Sequence, residues 1–551
     1  MRLTIRRAVN VWGLAALAVA AGGCAAEFDP GEAGLSAEEA EFQQNEALLT
    51  SNTAAFRDLT FTGYVFVDPS ASQSSIIATV KKQTQSAFGA LRESYVAVNS
   101  RELGDVDPLT FVKVPVTVID TKIAGDKGKS MLRVAYTYKD KALVPKVMAQ
   151  KSSLSLGLLN GNYQLQAKKI LVECTSNDAQ AKEFESAIWY VFDPSKAKCK
   201  ATIAAEQKLV DVERAKIVDK KTQVAKLEVD RLYIPMTVQL KAAVTSKGLT
   251  YPEYDQLWGG GVQKGRLVVA TVYGMMADWA VGEQKSIIDD EGYVLWLEHL
   301  NQVFKARPGF KLASLNPVED LSTVTVGTKK VTGITFQSLI NWEIYNTGFP
   351  STVLPAQRKA LRLAAAKKVY QHWLRFELPV QVKVGKAAAA TVILTIDTYF
   401  GAGSSSAPHK KAIKNSDVFL YNGHSYIGYG PLDPGNFTTA DFPTTYQLMF
   451  VDACVSYNYY EKDYFLLKTG GSAKLDMITN GLETWVAGSG VGMGNFIVAL
   501  LNGKQTSYKD LLTAAEASPD DYEWGGDALR VVDGEIDNKY KPKTTPIVVT
   551  P

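Results

Sequence analysis

Two apolar segments decide the fold of this chain: residues 415–424 read NSDVFLYNGH, and residues 446–454 read YQLMFVDAC. Each segment holds a short aliphatic and aromatic run bordered by polar or turn-forming residues, which is typical of buried strands in a parallel sheet. The first run presents His424 at its end, and the second presents Cys454. Because ligand crevices of open α/β sheets lie outside the carboxyl ends of the strands, we expect these two side chains to face each other there. A thiol nucleophile and its base require that arrangement.

These motifs resemble those of the caspase-like cysteine peptidases, the group that includes gingipains, clostripain, legumains and metacaspases. In that family one strand ends in a His, usually followed by Gly, and a later strand ends in Ala-Cys or a close variant. Here the motifs are YNGHS at residues 421–425 and FVDACVS at residues 450–456, in the family's order. The resemblance covers the last third of the chain well and the middle third loosely. It implies an α/β domain over residues 262–535, with a mostly parallel caspase-like sheet and flanking helices.

The resemblance implies hydrolysis of peptide bonds. Cys454 would attack the carbonyl, and His424 would promote thiolate formation and protonate the leaving amine. By the same resemblance, the backbone N–H groups of Ser425 and Cys454 would bind the oxyanion. Where the family usually has Gly after the His, this chain has Ser425, whose side chain stands where substrate backbone should pass.

That departure keeps two other interpretations open. One is a catalytically inactive caspase-like lipoprotein that acts as a binding or structural module. The other is a cysteine-dependent hydrolase or transferase of another type.

Asp452, two positions before Cys454, suggests a specificity. In clostripain and the metacaspases an acidic residue at this place lines the S1 pocket and favours Arg or Lys before the cut. A carboxylate there would bind a guanidinium or ammonium group through charge-assisted hydrogen bonds. Legumains carry Glu at this place and cut after Asn, so an acid does not settle the choice. The expected partner is a protein or peptide substrate.

The N-terminus predicts export. Three arginines precede an apolar run at residues 11–20, which is too short to span a bilayer and is typical of a signal peptide over residues 1–23. The run ends in AGGC, which resembles a bacterial lipobox, so Cys24 is expected to carry lipid. An ordinary cleaved signal that leaves Cys24 free is the alternative. The lipid would anchor the protein in the bacterial cell envelope, at the outer membrane, and the acidic residues 24–52 would form a disordered tether.

The four cysteines fit an exported protein. With Cys24 lipidated and the compartment oxidising, Cys174 and Cys199 are free to form a disulfide. Cys454 is then left over, either as a nucleophile or as a buried core residue.

The remaining histidines offer no metal site. His299 and His372 fall within helical patterns, and His409 follows a proline in a predicted loop. Since there are four histidines and no close pair, we expect no metal and no cofactor.

Length and charge limit the number of domains and the class of partner. A chain of 551 residues with 46% apolar content is long enough for more than one core. The formal net charge of +3, with no basic block, argues against a nucleic-acid partner.

The sequence before the caspase-like region predicts an α+β accessory domain over residues 53–249. Two interpretations of its role stay open: substrate recruitment, autoinhibition or partner binding on one side, and a supporting spacer on the other. We predict a helix at 76–94 and strands at 59–67, 111–118, 131–138, 167–174, 187–192 and 232–240.

The later region begins after the glycine triplet at 259–261, which lacks the Gly-Lys-Ser/Thr ending of a phosphate loop. A basic amphipathic helix is predicted at 355–375, either as a solvated face or as a membrane-surface helix. Residues 318–348 are hard to place, and residues 536–551 predict a flexible tail. The other predicted elements are strands at 266–274, 379–384, 391–399 and 484–487, and helices at 291–306, 495–501 and 507–517.

Overall fold

The computed structural model describes residues 49–161, 163–175, 184–243, 249–277, 286–402, 405–484, 486–516 and 528–550. The signal peptide, Cys24 and most of the predicted tether lie outside these ranges. The described chain is a mixed α/β protein that forms two compact units. One unit comprises Phe56–Ala243, and the other comprises the described residues before and after it.

The first unit is built on a largely antiparallel sheet with strand order β5-β7-β1-β4-β3-β6, in which β2 also pairs with β4. Alternate residues of β1, such as Leu59, Phe61 and Val65, are buried, as expected for a strand with one face on the core. The strands are β1 (Ala54–Val67), β2 (Ala97–Val98), β3 (Val112–Ile119), β4 (Lys129–Pro145), β5 (Ser153–Leu159), β6 (Gln223–Ala225) and β7 (Tyr233–Ala242). The described helices are α1 (Gln73–Gln85), α2 (Ala87–Arg92), α3 (Ala167–Cys174), α4 (Ile188–Val191), α5 (Ala197–Ala215) and α6 (Lys226–Asp230).

Two segments predicted as strands are helices. Residues 167–174 form α3, and most of residues 187–192 form α4. Both predictions rested on short apolar runs, whose periodicity does not separate a buried helix from a buried strand. In α3 the buried residues Ile170 and Cys174 are one helical turn apart, and Cys174 is joined to Cys199 by a disulfide.

The second unit is built on a mixed sheet with strand order β17-β16-β15-β14-β8-β13-β12-β18, in which β9 also pairs with β12. The central strands β13, β8, β14, β15 and β16 are parallel to one another, and antiparallel pairs flank them. The strands of this sheet are β8 (Arg266–Gly274), β9 (Lys311–Asn316), β12 (Trp373–Val384), β13 (Ala390–Gly401), β14 (Val418–Asn422), β15 (Gln447–Asp452), β16 (Leu475–Asn480), β17 (Arg530–Asp533) and β18 (Ile547–Thr550). Strands β10 (Thr323–Val326) and β11 (Lys329–Thr332) pair with each other in a separate two-stranded sheet. The described helices of the unit are α7 (Tyr254–Trp258), α8 (Glu291–Ala306), α9 (Phe336–Ile344), α10 (Arg358–Lys367), α11 (Ser406–Asn415), α12 (Ser456–Tyr459), α13 (Glu461–Leu467), α14 (Ser489–Leu501) and α15 (Tyr508–Ala515).

Helices α8 and α14 pack closely because α14 presents glycines to α8. A Cβ atom added at Gly490 would lie 2.5 Å from the carbonyl oxygen of Leu295. One added at Gly494, a turn later, would lie 2.7 Å from the carbonyl oxygen of His299. The glycines after the predicted strand at 484–487 therefore serve helix packing.

Several predicted elements of this unit are wrong in place or type. The basic helix ends at Lys367, and Trp373, predicted on its apolar side, begins strand β12. The described residues of 484–487 form no strand, and the strand that follows β15 is Leu475–Asn480. The flexible tail predicted over 536–551 instead contains β18, which pairs antiparallel with β12.

Helix α10 carries paired basic residues. Lys359 lies 2.9 Å from Asp289, and the guanidinium of Arg362 contacts the buried carboxylate of Glu343. Over the ranges that the structure describes, no helix combines the length and the apolarity needed to cross a bilayer.

Candidate functional site

The structure places His424 and Cys454 beyond the carboxyl ends of neighbouring strands. Strands β14 and β15 are parallel and hydrogen-bonded, and their last residues, Asn422 and Asp452, are Cα partners. His424 and Cys454 each follow two residues later. Since both strands run in the same direction and end at the same register, both residues leave the same edge of the sheet.

The ring of His424 is oriented by a backbone carbonyl. Its Nε2 atom lies 3.0 Å from the carbonyl oxygen of Met276, which follows β8, the strand on the other side of β14. A carbonyl oxygen can only accept a hydrogen bond, so Nε2 carries the proton and Nδ1 is the basic nitrogen of the neutral ring. Burial lowers the pKa of His424 to about 4, although the bond to Met276 opposes this shift. The imidazole is therefore neutral at pH 7.

A buried carboxylate fixes the Met276 segment. Asp290 accepts hydrogen bonds from the backbone N–H groups of Met276 at 3.1 Å and of Ala277 at 2.8 Å. The same side chain caps helix α8 by accepting from the Gly292 N–H at 2.8 Å. The start of α8 thus positions the carbonyl that orients His424.

Cys454 is a partly exposed free thiol. Its Sγ atom lies 3.8 Å from the hydroxyl oxygen of Thr484. Burial, with a smaller effect of the nearby carboxylate of Glu483, raises the pKa of the thiol to about 11, while hydrogen bonds from Thr484 oppose the shift. Neutral thiol and neutral imidazole are therefore the resting forms at pH 7, and a proton must move when the sulfur attacks.

Strained backbone follows each of the two residues. Val455, directly after Cys454, has a φ of 53°, and Tyr426 and Ile427, shortly after His424, have φ values of 55° and 47°. Such left-handed conformations cost about 1–3 kcal/mol each in non-glycine residues and cluster at functional sites. Hydrogen bonds hold these segments: the Val455 N–H donates to the Leu482 carbonyl at 3.0 Å.

The loop after His424 is held by tyrosines. The hydroxyl of Tyr421 donates to the His424 carbonyl at 2.9 Å, and that of Tyr460 donates to the Ser425 carbonyl at 2.6 Å. These bonds fix the carbonyl groups of the loop.

The two predicted oxyanion donors are the N–H groups of Ser425 and Cys454. Neither amide donates a hydrogen bond to any residue that the structure describes. Ser425 is 5% exposed, so its N–H is a buried hydrogen-bond donor that could bind an oxyanion. Both amides sit at the edge of the sheet that carries the thiol.

Asp452 is engaged within the protein, contrary to the expectation that its carboxylate receives a basic substrate residue. The residue is 3% exposed. Its carboxylate accepts from Asn422 Nδ2 at 3.0 Å, from Asn480 Nδ2 at 2.9 Å and from Arg530 Nη2 at 3.2 Å. A guanidinium of the chain itself therefore holds the place predicted for a substrate's Arg or Lys.

The other histidines are packing residues or turn residues. His299 is buried and its ring stacks on Tyr273 at 4.6 Å, while burial lowers its pKa to about 3. His409 lies on helix α11 instead of in a loop, and burial lowers its pKa to about 4. His372 precedes β12 outside any helix.

No protein-family model, no curated protein and no solved structure matches this chain. Within the described ranges, no three His, Cys, Asp or Glu residues are grouped so that they could hold a metal ion.

Sequence reasoning missed Met276 and Arg530. Met276 acts through its backbone oxygen, which leaves no side-chain signal. It does lie two residues beyond the end of β8, so the rule that located His424 and Cys454 could have identified the segment. Arg530 is 78 residues from Asp452, and nothing in the sequence pairs them.

Proposed function

We propose that this chain is a caspase-like cysteine endopeptidase, in which Cys454 is the nucleophile and His424 is its general base. The hydrogen bond between His424 Nε2 and the Met276 carbonyl carries the proposal, because it fixes the tautomer that a base needs. A nucleophile, a base and a group that orients the base are the three parts of an activated nucleophile.

In the proposed reaction, the Cys454 sulfur adds to the carbonyl carbon of a peptide bond while His424 Nδ1 takes the thiol proton. The negative charge on the carbonyl oxygen is bound by the N–H groups of Ser425 and Cys454. The tetrahedral intermediate then expels the amine, which receives the proton from the imidazolium. Water, deprotonated by His424, hydrolyses the resulting thioester and releases the free thiol.

The expected preference for Arg or Lys before the cut is not part of this proposal. The carboxylate of Asp452 already has Arg530, Asn422 and Asn480 as partners, and a substrate cation would have to displace a buried ion pair. The proposal therefore allows side chains other than Arg or Lys in the substrate residue before the cleaved bond.

The alternative is an inactive caspase-like module that binds or supports other proteins. The raised pKa of Cys454 and the side chain of Ser425 favour it. Both alternatives keep the envelope anchor at Cys24 as a proposal, tested by whether Cys24→Ala moves the protein from the membrane to the soluble fraction.

Hydrolysis of a fluorogenic peptide library by the purified protein tests the proposal. Endopeptidase activity is expected in the native protein and should be absent in Cys454→Ala. Equal cleavage by both proteins, or none by a folded native protein across the library, would favour the alternative.

A further inference from the structure

Four polar side chains form a continuous network at the carboxyl edge of the central sheet. Asn422, Asp452 and Asn480 end the parallel strands β14, β15 and β16. Arg530 begins the antiparallel strand β17 and is the Cα partner of Asn480, so it lies at the same edge. The Arg530 Nε atom lies 3.0 Å from Asn480 Oδ1, and its Nη2 atom lies 3.2 Å from Asp452 Oδ1.

The network is buried and its charges balance. Asp452 is 3% exposed and Arg530 is 7% exposed. The guanidinium carbon also lies 5.1 Å from the centre of the Phe450 ring, which contributes a cation–π contact. Removing one member of a buried ion pair leaves the other charge uncompensated, so each charge depends on the other.

The network contacts the chain on both sides of Cys454. Asp452 precedes it by two residues, and Asn480 Nδ2 contacts the carbonyl of Ala453 at 3.4 Å. The Asn480 N–H donates to the Ser456 hydroxyl at 2.8 Å, on the other side of the cysteine. Asn480 therefore contacts the residues on either side of Cys454 and also binds Arg530.

Several charged and titratable groups of the described chain face the thiol. Asp452 lies on its own segment and Glu483 follows β16, and both carboxylates oppose ionisation of the thiol. Tyr421, on β14, interacts with Cys454, and His424 leaves the same edge of the sheet. The carboxylate of Asp452 has the Arg530 guanidinium at its oxygen.

We propose that Arg530 is a positioning residue for Cys454: its guanidinium offsets the charge of Asp452, so that the thiol is free to lose its proton to the base. The inference rests on the proposed role of Cys454 as nucleophile. In this proposal strand β17, which lies far along the chain from Cys454, helps to set the reactivity of the thiol.

The test is the pH dependence of Cys454 alkylation by iodoacetamide, measured in the full-length native protein and in Arg530→Gln, Asp452→Asn and the double variant. An uncompensated carboxylate two residues before the thiol should slow alkylation of Arg530→Gln about tenfold at pH 8 and move its midpoint upward. The double variant, which lacks both charges, should return to within about twofold of the native rate. A purely structural role would instead leave the double variant at least as slow as Arg530→Gln, and that result would overturn the proposal.

Asp452→Asn provides an independent arm if Arg530→Gln does not fold. It leaves the guanidinium in place and removes the carboxylate, so alkylation should become about tenfold faster at pH 8. An unchanged midpoint in this variant would overturn the proposal. Failure of the proposed function is distinguishable, because it would appear as absent hydrolysis by native protein whose alkylation still responds to these substitutions.

Discussion

The Nε2 atom of His424 donates a hydrogen bond to the carbonyl oxygen of Met276 across 3.0 Å. The bond joins the segments after two neighbouring parallel strands, β14 and β8. It turns the basic nitrogen of the ring away from the backbone partner and makes His424 a candidate base.

The pH profile of peptide hydrolysis should be a broad plateau. The pKa of His424 is lowered to about 4, so the base is unprotonated above that value, and kcat/KM should fall only as the pH drops towards 4. The pKa of Cys454 is raised to about 11, so its proton remains available to the leaving amine up to high pH. We expect constant kcat/KM from about pH 5 to about pH 9. A narrow bell with limbs near the ordinary values of His and Cys would contradict the buried, neutral pair.

Asp290→Asn should reduce kcat about tenfold with little change in KM. The substitution replaces one acceptor oxygen with an amide group and so weakens the anchoring of Met276 and Ala277, whose N–H groups Asp290 binds. Steady-state kinetics on the best library peptide would measure it. A proportional rise in KM would instead indicate that the segment contacts substrate.

Much of this site could be predicted from the sequence, for physical reasons. The runs at 417–421 and 446–452 are short, apolar and bordered by turn residues, so strand type and carboxyl-end placement could be predicted. Helix Glu291–Ala306 has a regular apolar face and the bounds that were predicted. Partners distant in sequence could not be found, because the pairing of Asp452 with Arg530 depends on how an edge strand returns to the sheet.

Other errors came from local ambiguity. Residues 167–174 contain an apolar run that suits a strand or a buried helix equally, and the structure makes it a helix. In the sequence Pro408 suggests a loop, yet it stands in the first turn of Ser406–Asn415, where a missing N–H costs nothing. His409 was therefore misplaced.

Gly494→Ala should lower the free energy of unfolding of the second unit by about 1–3 kcal/mol. The new methyl group would lie 2.7 Å from the carbonyl oxygen of His299, which belongs to the packed helix α8. Gly435→Ala is the matched control, since the nearest atom to a Cβ there is 3.5 Å away. Urea denaturation would compare the two, and equal stability of both variants would refute the close approach of α8 and α14.

Replacing Cys174 and Cys199 with Ser should destabilise the first unit by about 3 kcal/mol. The disulfide closes a loop with a sequence separation of 25, which restricts the unfolded chain. Hydrogen exchange of peptides from α3 and α5 would report the change, and Cys454→Ser is the control that should leave those peptides unaffected. Unchanged protection in the double variant would count against a stabilising disulfide.

The most direct test of the central claim compares kcat/KM for peptide hydrolysis by the native protein, His424→Ala and His372→Ala. If His424 is the base for Cys454, its removal should lower kcat/KM by about 10²–10⁴-fold, the usual contribution of a general base. His372, a partly exposed turn residue, should be replaceable without loss. Hydrolysis by His424→Ala at the rate of His372→Ala would contradict the account.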